Sequence, residues 1–238
     1  MCEHFIARAA EPFRLDDLWP FTEKLERFGI AGFGWGAAWV DDAGGLGSYR
    51  DVRAFRDDPS REVVGRTETT SALVHLRRPS RLSTLAVPDT QPFDDPAGRF
   101  AFSHNGDLRD YKGLRARYRE QGRIHGRADT EVGARWLEDA WQPDEPPAHL
   151  LAALHDRFGG QANLAVLTPP GDSHHYAGNG ENPVFSFRLG RIGVVSTGIY
   201  SLDRSLFRFV AGGATERRLV HLHTTAALDR DGRACLVA

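Results

Sequence analysis

The order of segments along the chain predicts an α+β protein with two sheets and helices outside them. Short apolar runs of strand character occupy both ends, while a middle stretch, 107–158, reads as successive amphipathic helices. In the last third, short strand-like runs are separated by Gly, Pro or Asn turns. No fixed-period repeat, low-complexity tract or linker-like stretch divides the sequence, so residues 1–238 are expected to form a single domain.

The elements follow in order. Pro20 to Gly29 (PFTEKLERFG) reads as a short helix stopped by its glycine. Gly32 to Val40 reads as a strand with Phe33, Trp35 and Ala37 on one face, and Asp41 to Tyr49 as a turn or exposed loop. Leu73–Leu76 and Phe100–Ser103 are expected as buried strands. Asp107–Gln121 and Asp129–Trp141 fit helices, each opened by an Asp suited to capping free N–H groups. Pro143–Pro147 breaks the chain before a third helix ending at Phe158. After Gly159-Gly160, strands are expected over Ala162–Leu167, His174–Tyr176, Val184–Arg188, Ile192–Ser196 and Leu219–His223. Gly32-x-Gly34-x-Gly36 lies in a strand-like run with no helix after it. It is read as a place where another backbone comes close, rather than as a nucleotide loop.

Composition removes several functional classes. A formal net charge of −2, from 30 basic and 32 acidic side chains, argues against a dedicated nucleic-acid binder. No run approaches the ~18 apolar residues of a membrane span. With 10% aromatics and no Gly or Pro period, disordered and collagen-like classes are excluded. Two cysteines, Cys2 and Cys235, can form neither a disulfide framework nor a four-cysteine zinc site. The leading MCEHFIAR lacks a basic segment followed by an apolar core, so a cytoplasmic, reducing location is expected. Of the ten histidines, His174 and His175 would face opposite sides of a strand and His221 and His223 the same side. No carboxylate or cysteine at familiar spacing completes a metal site, and no metal is expected. Cys235 is expected to pack as a small buried hydrophobe.

Chemistry concentrates at Cys2 and three separated pieces. If Met1 is removed, Cys2 carries a thiol (ordinary pKa ~8.5) and a free α-amine (~7.7–8.0), close enough to exchange a proton near neutrality. The pieces are Val74-His75-Leu76-Arg77, with Thr90-Gln91-Pro92-Phe93 downstream; Phe102-Ser103-His104-Asn105-Gly106-Asp107-Leu108, a strand running through a tight turn into a helix; and Arg127-Ala128-Asp129-Thr130-Glu131-Val132 at a helix start. Each has an ordinary reading alone: a second-position cysteine without a role, solvated charges at a strand end, a turn dipeptide, a helix cap. Those readings do not explain the order of the pieces. Together the pieces resemble the class II glutamine amidotransferases of the N-terminal-nucleophile hydrolase superfamily, most closely their short stand-alone members, over roughly the first two-thirds of the chain.

The resemblance implies the four-layer αββα sandwich of those hydrolases. It implies Cys2 as nucleophile, with the Asn105 side-chain N–H and the Gly106 backbone N–H facing the negative charge that develops on the amide oxygen. Arg77 would grip the substrate α-carboxylate, Asp129 would pair with the α-ammonium, and His104 would orient or pack the corner that binds substrate. The reaction implied is cleavage of the γ-amide of glutamine through a Cys2 thioester, giving glutamate and ammonia, with no cofactor. The partners implied are glutamine or a γ-glutamyl compound and a possible separate ammonia-consuming synthase subunit, with no nucleic acid and no membrane. Two alternatives stand beside this: a hydrolase of a larger γ-glutamyl conjugate, and a catalytically idle glutamine-binding regulatory subunit. The sequence departs from the family at three places. Gln91 replaces the His of a Thr-His-Pro-Phe pattern, Gly198-Ile199-Tyr200 follows where relatives carry an acidic residue, and Arg78 to Val87 lacks a usual glycine.

Overall fold

The computed structural model describes residues 2–29, 31–198 and 204–237. In chain order the first strands and helices are β1 (Glu3–Arg14), α1 (Trp19–Gly29), β2 (Trp35–Val40), β3 (Leu46–Asp51), α2 (Ser60–Gly65), β4 (Glu68–Leu76), β5 (Phe93–Asp94) and β6 (Ala101–Gly106). Three helices follow: α3 (Lys112–Glu120), α4 (Asp129–Ala140) and α5 (Pro147–Phe158). The chain continues through β7 (Ala162–Leu167), β8 (Ser173–Tyr176), β9 (Val184–Leu189), β10 (Ile192–Thr197), α6 (Arg204–Val210), β11 (Thr215–Val220), β12 (Thr225–Leu228) and β13 (Ala234–Val237).

Among the described residues the strands form two antiparallel sheets. One runs β11-β9-β10-β1-β4-β2-β3 and the other β13-β12-β8-β7-β6-β5. Side-chain alternation then builds four layers. From β1, Phe5, Ala7 and Ala9 point outward into a core shared with Phe21 and Leu25 of α1. Ile6 points the other way, into an apolar layer between the sheets with Leu73, Ala101, Ala165 and Val195. The outer face of the second sheet packs Phe102, Leu164 and Val166 against Val132, Leu137, Leu151 and Leu154 of α4 and α5. This is the expected four-layer αββα sandwich.

Several local expectations are corrected. β1 is an element the sequence pattern does not reveal: buried on both faces over Glu3–Ala9, it shows little of the polar alternation that marks a half-exposed strand. β2 begins at Trp35, leaving Phe33 39% exposed, and the presumed loop to Tyr49 contains β3, joined by a hairpin at Asp41–Gly45. His104, Asn105 and Gly106 continue β6 in register with β7 rather than forming a turn, and α3 starts only at Lys112. Asp107 therefore caps nothing there. At α4 the cap position is Ala128, and Asp129 is the first helical residue. The strand expected at Leu219–His223 lies at Thr215–Val220, so His221 and His223 fall in the following turn. Cys235 is exposed, on the edge strand β13, because that strand has a neighbour on one side only.

Candidate active site

Pairing of β1 with β4, in which Glu3 lies opposite Leu76, sets Cys2 beside Arg77 and Arg78. The Arg78 backbone N–H donates to the Cys2 Sγ at 3.3 Å, and the thiol faces the Arg78 carbonyl at 3.6 Å. β6 of the facing sheet arrives from the other side, and the Asn105 Nδ2 donates to the Cys2 carbonyl oxygen. Cys2 thus sits where the ends of the two sheets meet. The start of α4 completes the corner: Asp129 accepts from the Leu108 N–H at 2.8 Å and from the Thr130 N–H at 2.9 Å.

Cys2, Arg77, His104, Gly106 and Asp129 line one open cavity of about 1080 Å3. Asn105 is buried behind that lining and reaches the site through its amide, whose Oδ1 has no partner among the described residues. Gly106 has φ of +131°, and a Cβ there would collide with the Gln161 carbonyl oxygen. Close approach of two backbones dictates glycine at this position. Gly36 has the same cause: a Cβ would meet the carbonyls of Gln91 and Tyr49, so the reading of its motif as a close backbone approach holds at that residue.

Charge in the cavity is uneven. Arg77 is buried, and its guanidinium donates to the Thr90 Oγ1 at 3.4 Å, with no carboxylate in ion-pair range among the described residues. Burial pushes its pKa down, opposed by the Cys2 and Asp89 charges. A desolvated guanidinium facing a cavity is a ready site for a carboxylate. Burial pushes the half-buried Cys2 thiol up, while the Arg78 N–H and the Arg77 charge draw it down. A neighbouring base is therefore needed to form the thiolate near neutrality.

Sequence reasoning missed the residues that hold this corner together. Asp89 is buried, and its Oδ1 accepts from the backbone N–H groups of Arg127 and Ala128, tying the loop before β5 to the start of α4. Gln91, noted only as a departure, accepts from the His104 N–H at 2.6 Å and donates to the Thr130 hydroxyl at 3.3 Å. The His104 ring also meets the Thr130 hydroxyl, at 3.0 Å, so its Nδ1 holds the β6–α4 junction. The glycine-free segment from Arg78 forms two one-turn 3-10 helices, Leu82–Thr84 and Val87–Asp89, which stand over the cavity. Ile199 and Tyr200, singled out for lacking an acidic residue, lie outside the described residues. Behind the site, between the sheets, Ser103 meets the Nδ1 atoms of both His4 (2.9 Å) and His75 (2.8 Å), and the His175 ring packs edge-on to His4. Among the described residues no group of His, Cys, Asp or Glu is arranged to hold a metal ion.

The family profile described as glutamine amidotransferase domain matches residues 80–198, half of the chain. The glutamine phosphoribosylpyrophosphate amidotransferase of B. subtilis superposes with a TM-score of 0.75 at 19% identity, over 99% of this chain and 49% of that one. A structure described as the allosteric regulatory enzyme of purine biosynthesis gives 0.74 at 18% identity, over 99% and 48%. This chain thus spans about half the length of those two. A glutamine aminotransferase class-II domain protein from Silicibacter pomeroyi gives 0.63 at 17% identity, over 98% of both chains. No curated protein sequence matches. These likenesses are of fold, the N-terminal-nucleophile hydrolase sandwich, and with the profile match they show that the chain belongs to the glutamine amidotransferase domain family.

Proposed function

We propose that this protein cleaves the γ-carboxamide of glutamine through a thioester on Cys2, releasing glutamate and ammonia. One observation carries the reading: a buried arginine without an acidic partner, Arg77, shares a cavity with a half-buried N-terminal-region thiol and with Asp129. The free amino acid head fits that pair, carboxylate to Arg77 and ammonium to Asp129, leaving the γ-amide to extend toward Cys2. Removal of Met1 would expose the Cys2 α-amine, which takes the thiol proton as Sγ adds to the amide carbon. An amide NH2 carries two donors. One Asn105 N–H holds the Cys2 carbonyl, and the other, with the Gly106 backbone N–H, stabilises the oxyanion. Collapse breaks the C–N bond, the amine returns its proton to the leaving ammonia, and water hydrolyses the thioester to restore the thiol. The ammonia is released, or passed to a separate synthase subunit. The cavity volume favours a second substrate for the same chemistry, a γ-glutamyl conjugate larger than glutamine.

Incubation with a glutamine-mimicking diazoketone followed by peptide mapping tests the proposal. An adduct on Cys2, with intact mass showing loss of Met1, is the expected result. An adduct on Cys235, or none, overturns it, and the absence of any adduct points to the idle regulatory subunit.

A further inference from the structure

Five arginines line the cavity, Arg77, Arg78, Arg81, Arg109 and Arg127, against three aspartates, Asp89, Asp107 and Asp129. The aspartates are largely committed. Asp89 is held by two backbone N–H groups, Asp129 by two others, and Asp107 lies 3.5 Å from Arg109. Arg78, Arg81 and Arg127 form no ion pair among the described residues. With Arg77 and Asp129 assigned to the amino acid head, the remaining wall holds four cations against two anions. Arg78 contacts the Cys2 Sγ through its backbone, Arg81 follows three residues on in the same segment, and both line the cavity that Cys2 lines. Ammonia needs neither this room nor this charge.

From this wall we infer that the natural substrate is a γ-glutamyl amide whose leaving amine carries an anionic group, a γ-glutamyl amino acid or its sulfonate equivalent. The inference rests on the Cys2 thioester reading and names the substrate of that same site. Cleavage forms the Sγ–acyl bond, breaks the γ-amide C–N bond and transfers the thiol proton, through the α-amine, to the leaving amine. Water then frees glutamate and restores the thiol. The carboxylate of the departing amino acid takes no part in these bonds. It is attracted to Arg78 and Arg81 before and during the addition, a contribution of about 1 kcal/mol for an exposed pair, or about fivefold in kcat/KM.

Two probes of equal size separate charge from bulk: γ-glutamylglycine and its neutral analogue γ-glutamylglycinamide. The acid is expected to be cleaved about fivefold more efficiently at low salt, with the preference shrinking as salt screens the wall. The double variant Arg78→Gln/Arg81→Gln is expected to bring the ratio of the two efficiencies toward unity. Equal cleavage of both probes by the unaltered protein, a preference for the amide, or a ratio unchanged in the double variant overturns the inference. Diazoketone labelling of Cys2 in the same preparation keeps the two readings apart. Labelling together with cleavage of glutamine but no preference for the acid sinks this inference alone, whereas loss of labelling sinks the thioester reading and this inference with it.

Discussion

At the residue scale, the cavity holds side chains whose surroundings are costly without a ligand. Arg77 is the clearest case: it is buried, weakly hydrogen-bonded and without an acidic partner in ion-pair range among the described residues. Arg77→Met should therefore raise the thermal midpoint of the ligand-free protein, by the equivalent of about 0.5–2 kcal/mol, while removing turnover of glutamine. Melting curves beside a glutaminase assay check both, and a lowered midpoint would show that the guanidinium stabilises the empty site. Arg77→Lys keeps the charge but loses the planar fork, and should lower kcat/KM about tenfold or more. Asn105→Ala removes the tether on the Cys2 carbonyl and, under the proposed mechanism, a donor to the oxyanion, so a drop of ~10²–10³ in kcat is expected. Steady-state kinetics with unchanged turnover in that variant would refute the oxyanion assignment.

At the scale of elements, the site is made by three ends that converge. β1 and β4 present the thiol and the guanidinium from one sheet, β6 presents Asn105 and Gly106 from the other, and α4 begins at Asp129. The β6 end is held by close backbone approach. Gly106→Ala forces a Cβ onto the Gln161 carbonyl at a φ that disfavours L side chains. A loss of about 1–3 kcal/mol in urea unfolding is expected, with activity falling as the β6–β7 pairing shifts. Gln91, which stands where the resembled pattern has histidine, joins β6 to α4. Its amide has both an acceptor for the His104 N–H and a donor for Thr130, so it bridges the same two elements. That role was invisible in the sequence because both partners lie far along the chain.

At the scale of the whole molecule, the mainly apolar layer between the sheets holds a buried polar group, His4, His75 and His175 with Ser103. Burial pushes the pKa values of His4 and His75 down, and that of His175 down to about 3; His104, on the other face of β6 against Thr130, is pushed down by burial as well. These rings are neutral in the fold and take up protons when the chain unfolds. Above the ordinary histidine pKa of about 6.5 neither state binds the extra proton, and stability is intact. As pH falls below that value the unfolded chain binds more protons than the native one, so stability falls progressively toward the folded-state values. Urea unfolding across this range should show a steep acid limb beginning near pH 6.5, and His175→Leu should flatten it. A stability that does not change between about pH 7 and pH 5 would contradict the neutral cluster.

Which side chains carry candidate reactive groups, and in what order, can be read directly along the chain. The thiol at position 2, the arginine ending β4, Asn105-Gly106 and Asp129 stand in local patterns, and local patterns survive in one dimension. The α+β alternation was legible for the same reason, since α5 and β7 follow from periodicity and from proline and glycine punctuation. Features that depend on long-range contact emerge on folding alone. β1 was hidden because burial on both faces erases its alternation, and Cys235 was misplaced because its exposure depends on β13 lacking a second neighbour. Asp89 carries no motif, since its task is to hold N–H groups almost forty residues away. The positive wall beside Cys2 is likewise a property of the assembled cavity: arginines scattered from 77 to 127 become one field only when folding brings them around a single volume.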